Sequence, residues 1–252
     1  MRTQFVELPD AHWQVIKNCI DSGRKRRVSL RTVVDAIRWL THTGCQWRNL
    51  TGNYPPWQTV YYYFRQWQQD GRWQRLLLRL VELERERQGR AGHPSRLAVD
   101  SQSVRKGLWV SKETGLDGNK RVNGRKRHLA VDSLGLPVAV YVSAANLPDG
   151  EAGKELLWQV DALNQRLDLI VADKAYRGEF EQAAGWCGYR VEISQRPESA
   201  QGFVPQKGRW QVERSFAWLN VYRRLSRDYE KTSASAEAFL RVAYTDLILA
   251  RN

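Results

Sequence analysis

LAVDSQSV, residues 97–104, reads as a strand whose apolar run ends on an acid: Asp100 follows Leu97, Ala98 and Val99. LDLIVAD, residues 167–173, repeats the arrangement, with Asp173 after Ile170, Val171 and Ala172. Aspartate is a poor strand-interior residue, and ionised it is costly to bury unpaired. Two such placements need a reason. One is a divalent cation, because hard Mg2+ or Mn2+ prefers carboxylate oxygens and offsets the repulsion between close carboxylates. The other is local, each aspartate capping the turn or helix that follows it. The spacing leaves both readings open.

Outward from these runs the pattern alternates. Residues 97–104, 127–133 and 136–144 read as three successive strands, the last two joined by a tight turn at Leu134-Gly135. A helix over 151–166, a buried strand over 167–173, a helix over 179–186 and a short strand over 189–193 follow. Two helices, about 209–225 and 233–251, complete the chain. A meander followed by strand–helix alternation predicts an α/β fold with a mixed sheet covered by helices.

Upstream the signal is helical throughout. Asp10 is placed to cap a helix running to about Ser22, and the basic turn GRKRR (23–27) follows. Ser29 opens a helix with Leu30, Val33, Val34, Ile37 and Leu40 at helical spacing, and Gly44 ends it. Pro55 and Pro56 precede a helix with the apolar face Trp57, Val60, Tyr61, Phe64 and Trp67, and a further helix covers about 73–87. The polar stretch 84–96 reads as a linker. The division is therefore an all-α segment over 1–90 and an α/β segment over 91–252.

The charge narrows the function. The 252 residues carry 40 Lys+Arg against 27 Asp+Glu, a net charge of +13, and 30 of the cations are Arg. Guanidinium groups fork onto phosphate oxygens, so a polyanion is the expected partner. A membrane is the weaker candidate for that partner: the most apolar stretch, 136–142, contains a Pro and is far too short to span. MRTQFVELPD, residues 1–10, has no apolar core behind its charges and is not expected to act as a signal peptide. Three widely spaced cysteines and four scattered histidines suit neither a disulfide frame nor zinc, and point to buried thiols in a reducing cytoplasm. The stretch 104–128 holds eight Lys/Arg, two acids and four glycines, and reads as a flexible basic finger. Trp109 within it suits either stacking on a displaced base or packing. Helices near 29–43 and 57–70 form either a helix-turn-helix-like reader exposing Gln58, Tyr62, Arg65, Gln66 and Gln69, or a plain bundle with a solvated Arg-rich face.

A third acid is not selected by periodicity. Glu213, in RWQVERSFAWLNVYRRL (209–225), borders the apolar stripe Val212, Phe216 and Leu219, but Asp132, Asp149, Glu151 and Glu179 are equally eligible on spacing.

Several long motifs in order do select it. LPDAHWQVI (8–16), LRTVVDAIRWLTHTGCQWRNL (30–50) and YPPWQTVYYYFRQWQQDGRW (54–73) resemble the N-terminal helical domain of DDE insertion-sequence transposases of the IS-five group. LAVDSQSV, NGRKRHLAVDSLGLPVAVYVSAANLPD (123–149), LIVADKAYRGEF (169–180) and RWQVERSFAWLNVYRRLSRDYE (209–230) resemble that group's ribonuclease H-like catalytic domain. The resemblance implies a catalytic, metal-holding triad of Asp100, Asp173 and Glu213, spaced by 73 and 40 residues. It implies binding of terminal inverted repeats by the domain 1–90, then strand cleavage and strand transfer by two Mg2+ ions, with Mn2+ able to substitute. A metal-dependent nuclease without strand transfer, or a transposase-derived DNA-binding protein, is the alternative. The wider superfamily sets a Tyr, Arg, Glu and Lys around the last acid; Arg209 and Glu213 fit, Gln206 and Asn220 depart, and Arg223 and Arg224 are candidates to replace the Lys. Expected contacts to double-stranded DNA are Arg65, Gln66, Lys120, Arg121, Arg125, Lys126, Arg127, Arg209, Arg223 and Arg224. A homodimer joining two DNA ends, no small-molecule substrate and a bacterial cytoplasmic, nucleoid-associated location complete the expectation.

Overall fold

In the first half of the chain, apolar spacing fixes which face of each helix turns inward. A computed structural model describes residues 5–20, 23–163, 166–194 and 209–251. Helices α1 (Asp10–Ile20), α2 (Leu30–Thr43), α3 (Trp57–Gln69) and α4 (Arg72–Arg87) come first. In α2 the periodic Leu30, Val33, Val34, Ile37 and Leu40 are all buried. Gly44 ends that helix in the left-handed region (φ 70°), its N–H donating to Leu40 O. Ser29 stands at the N-cap position without a side-chain bond, so the cap expected from its hydroxyl is not formed.

The second half holds β1 (Arg96–Arg105), β2 (Gly115–Asp117), β3 (Val122–Val131), β4 (Pro137–Ala144), α5 (Asp149–Asp161), β5 (Leu169–Ala172), α6 (Glu179–Trp186), β6 (Arg190–Ile193), α7 (Trp210–Trp218) and α8 (Ser233–Leu249). The six strands form one mixed sheet ordered β2-β3-β1-β5-β6, with β4 also on β3. The β1–β3, β2–β3 and β3–β4 pairs are antiparallel; β1–β5 and β5–β6 are parallel. This is the expected mixed sheet, with one addition. The basic stretch 104–128 is no flexible finger: β1 runs into it, β2 lies within it, and β3 begins at Val122 rather than at 127.

Alternation along the strands divides the interior into two cores. Leu97, Val99 and Ala130 face α5 and α6, joining Leu156, Leu157, Val160, Phe180 and Ala183. Ala98, Leu129 and Val131 face the other way, against Val212 and Phe216 of α7 and much of α8. That second core continues without a break into α1–α4. Phe64 of α3 stacks on Phe239 of α8 at 4.5 Å. The stretch 84–96 therefore does not behave as a linker. Arg85, at the end of α4, is buried with its guanidinium on Asp132 and donates to Ala91 O at 2.8 Å.

The C-terminal helix expected over 209–225 stops at Trp218 and gives way to 3-10 turns at Leu219–Val221 and Arg223–Leu225. The break has long-range causes. Tyr222 turns inward to give its hydroxyl to Asp246 (3.0 Å), and Arg224 reaches Glu230 (2.8 Å) and Cys45 O (2.9 Å). Cys19, Cys45 and Cys187 are free thiols, each half-buried rather than buried as expected. No helix among the described residues is long and apolar enough to cross a membrane.

Candidate active site

Parallel pairing brings the two acids to one level, Asp100 inside β1 and Asp173 just past the end of β5. Ala98 of β1 lies opposite Val171 of β5, so Asp100 and Asp173 each stand two residues beyond a matched pair. Asp100 shares the face of Ala98, the face covered by α7. The two acids divide their oxygens in the same way. Asp100 Oδ1 accepts from Ser101 N (2.8 Å) and Asp173 Oδ1 from Ala175 N (2.9 Å). The outer oxygens face Arg209, whose Nη2 lies 2.6 Å from Asp100 Oδ2 and 3.8 Å from Asp173 Oδ2.

Arg209 precedes α7 by one residue, and Glu213 follows one turn later on the same helical side. Burial alone would lower the Arg209 pKa, but the carboxylates of Asp100, Asp173 and Glu213 hold it above the ordinary value. Burial pushes the Asp100 carboxyl up, against the opposing pull of Arg209. Glu213 itself is exposed. Three of the other eligible acids have partners of their own. Asp132 is buried and accepts from Leu134 N (2.9 Å) and Leu136 N (2.8 Å), closing the hairpin turn. Asp149 pairs with Lys126 (3.0 Å) and Glu179 with Lys154 (2.6 Å).

Residues 91–245 match the family model described as "Transposase DDE domain", and residues 8–77 match "Putative transposase of IS4/5 family". The chain belongs to the DDE transposases. A curated relative from Burkholderia cepacia, "Putative transposase for insertion sequence element IS402", is 30% identical over 159 residues, covering 58% of this chain and 71% of that protein. The mixed sheet with its helical N-terminal region accords with the ribonuclease H-like domain of the family.

DDE domains use divalent metal in general. The donor set of this transposase suits one: hard carboxylate oxygens only, two of them already sharing a cation, the Arg209 guanidinium. Among the described residues no three His, Cys, Asp or Glu side chains are grouped to hold a metal ion. Asp100 and Asp173 are brought together around Arg209, with Glu213 one turn on.

The expected DNA contacts separate sharply. Arg65, Lys120, Arg121 and Arg223 are exposed, and Gln66 and Arg209 partly so. Arg125, Lys126, Arg127 and Arg224 are instead buried. Arg125 binds Asp228 (3.0 Å) and four backbone carbonyls, Lys126 binds Leu147 O (2.9 Å), and Arg127 binds Leu225 O (2.9 Å). Arg224 pairs with Glu230 and lies 4.2 Å from the Phe239 ring centroid. These four cations hold the fold rather than phosphates, and Arg224 does not replace the superfamily Lys. Asn220 is exposed in a 3-10 turn, while Gln206 lies outside the described residues.

The outer face of α3 opens onto a cleft of about 580 Å3 lined by Gln58, Tyr61, Tyr62, Arg65, Gln66 and Gln69. A neighbouring cleft of about 370 Å3 joins Tyr62, Tyr63 and Gln66 to Arg24, Lys25, Arg26 and Arg27. No acid lines either one. The basic turn 24–27 was legible as charge, but its place beside α3 was not.

Proposed function

We propose that this chain binds the terminal inverted repeats of an insertion sequence and catalyses metal-dependent strand cleavage followed by strand transfer. Asp100, Asp173 and Glu213 would be its catalytic and metal-holding acids, with two Mg2+ ions, replaceable by Mn2+. The observation that carries the reading is the pair Asp100 and Asp173, brought level by parallel strands and sharing one cation, Arg209, which stands just before the helix that bears Glu213.

Divalent ions at such a site activate an attacking oxygen and stabilise a leaving one. The chain's own residues have simpler tasks. Backbone N–H groups of Ser101 and Ala175 fix one oxygen of each aspartate, leaving the other directed at the site. Arg209 supplies a guanidinium where a phosphodiester would lie. No covalent protein nucleophile is required. Tyr176 is fully buried, and burial with the charges of Asp100, Asp149 and Asp173 raises its pKa far above the ordinary range.

The exposed face of α3 with Arg65 and Gln66 suits a groove, and the turn 24–27 suits the phosphates beside it. Lys120, Arg121 and Arg223 extend the basic surface. Joining two DNA ends requires two copies, so a homodimer is the functional unit of this reading.

The test is incubation of the purified chain with labelled DNA carrying the ends of its element and Mn2+, followed by sequencing of the products. Cleaved ends joined to a target are expected; cutting without joining would indicate a nuclease. Asp100→Asn should keep DNA affinity within about twofold and abolish cleavage, because it removes a metal donor and no phosphate contact. Wild-type nicking by Asp100→Asn would falsify the assignment. Chelation by EDTA should stop cleavage and leave binding intact.

A further inference from the structure

Leu108 and Trp109 are 95% and 91% exposed, more than any other large apolar side chains among the described residues. The frame beneath them is fixed. Gly107 N donates to Asp228 O (2.6 Å), Lys106 forms a parallel bridge with Asp228, and Val110 N returns to Gly107 O (3.2 Å). Val110 itself is buried, so the turn inserts one apolar side chain and presents the two before it.

Arg125, 0% exposed, ties this frame together. Its guanidinium donates to Lys112 O (2.8 Å) and Glu113 O (3.1 Å) on the loop side. On the other side it donates to Glu230 O (2.9 Å), Lys231 O (3.2 Å) and Asp228 Oδ2 (3.0 Å). Five bonds from one buried cation argue against a tip that is exposed because it is loose.

The charge around the tip is one-sided. Arg105, Lys106 and Lys112, the cations within three residues of it, have no ion pair among the described residues. Both acids of the stretch are already engaged. Glu113 accepts from Ser233 N (2.6 Å), and buried Asp117 accepts from Ser103 Oγ (2.5 Å), Asn119 N (3.0 Å) and Lys120 N (3.1 Å). Apolar side chains flanked by unpaired cations complement a partner whose apolar faces lie behind anionic charge. Nucleic-acid bases behind phosphates have that character.

We propose that Leu108 and Trp109 form a wedge that stacks on the bases of an unstacked DNA step, while Arg105, Lys106 and Lys112, their neighbours in the chain, hold adjacent phosphates. This rests on the reading of the chain as a DNA-acting transposase. Strand β1 sets the reach: Arg105 lies five residues beyond Asp100, which is about 17 Å at about 3.4 Å per residue.

The experiment compares binding of the full chain, in EDTA, to two probes. One is a 30-base-pair mixed-sequence duplex; the other is the same duplex with three central mismatches, where unstacking costs less. Wild type should bind the mismatched probe about tenfold more tightly, within the range of one base–aromatic stack. Trp109→Ala should bring the ratio to within about twofold, Trp109→Phe should keep most of the preference, and Leu108→Ala should fall between. A 2-aminopurine placed in the mismatch should be quenched by wild type and not by Trp109→Ala. Circular dichroism should be unchanged in all variants, since both side chains are exposed. An undiminished preference in Trp109→Ala overturns the wedge. So does sedimentation showing a wild-type dimer and a Trp109→Ala monomer with equal probe ratios, which makes the tip a contact between copies. Equal binding of both probes by wild type sinks the wedge alone; binding of neither sinks the transposase reading with it.

Discussion

Asp173 caps the 3-10 turn that follows it, which bears out the local explanation. Asp100 lies inside β1 and locally bonds only the next residue. The cation that both face is the Arg209 guanidinium. Each acid accepts from a local backbone N–H with Oδ1, and each turns Oδ2 toward that cation. The local bond was legible, because it spans one or two residues; the shared cation was not, because it comes from 109 residues away. His128 shows the same limit. In the sequence it is one more member of a basic run, yet it is buried on β3 with Nε2 2.8 Å from Ser143 Oγ and Nδ1 3.5 Å from the Tyr176 hydroxyl. Burial lowers its pKa to about 4. Between that value and the unfolded value of about 6.5, the unfolded chain binds more protons. Stability should therefore fall as pH drops through this window, by at most about 3 kcal/mol from this residue. Urea midpoints at pH 7.5, 5.5 and 4 would measure it. His128→Gln should flatten that part of the profile, and an unchanged slope would remove His128 as its source.

At the scale of elements, α2 and α8 are joined by a buried carboxylate. Asp246 accepts from Arg38 Nε (2.6 Å) and the Tyr222 hydroxyl (3.0 Å), with His42 Nε2 also at 2.6 Å. Burial would raise its pKa, but His42 and Arg38 bring it below the ordinary aspartate value. Its stabilisation is thus complete above the unfolded aspartate range and lost as pH falls through the lower folded value. Asp246→Ala should cost about 1–3 kcal/mol in chemical denaturation, since it leaves the buried Tyr222 hydroxyl without its acceptor while Arg38 keeps Asp35 at 2.7 Å. Gly44 makes a second junction. Its φ of 70° suits glycine, and a Cβ there would meet the Arg223 carbonyl carbon and Arg224 N at 3.2 Å each. Gly44→Ala should cost about 1–3 kcal/mol through backbone strain, read as a lower denaturation midpoint. Helix spacing and the terminating glycine of α2 were readable because they are local. The early end of α7 was not, because Tyr222 and Arg224 leave the helix for partners on α8 and beyond α2.

Across the whole molecule, the +13 charge is not spread over equivalent cations. Arg85, Arg125, Arg127 and Arg224 are buried in internal bonds, whereas Arg24, Lys25, Arg27 and Arg65 line the clefts beside α3 and Arg105, Lys112, Lys120 and Arg121 are exposed. DNA binding should weaken steeply with salt, with a log–log slope near −5 if about six phosphates are neutralised. Lys120→Ala should reduce that slope by about 1, whereas Arg125→Ala should lower stability instead. Titrations at 50, 100 and 200 mM salt, run with thermal melts, separate the two outcomes. The shared core makes a further demand. Residues 91–252 without α1–α4 would expose the α8 face that carries Phe239, so that fragment should bind a hydrophobic dye and aggregate.

By itself the sequence determined the order of the main helices and strands, though not β2 or the end of α7. It also determined the two aspartates that end apolar runs and the excess of arginine. These are written in periods of two or 3.6 residues and in composition, which need no distant partner. Only the tertiary structure decided which acids meet, which cations remain exposed, and that one core crosses residue 90. Those outcomes depend on pairs such as Arg209 with Asp100 and Arg38 with Asp246, separated by 109 and 208 residues. A cation in the chain looks the same whether a phosphate or a buried carbonyl awaits it, and burial alone tells the two apart.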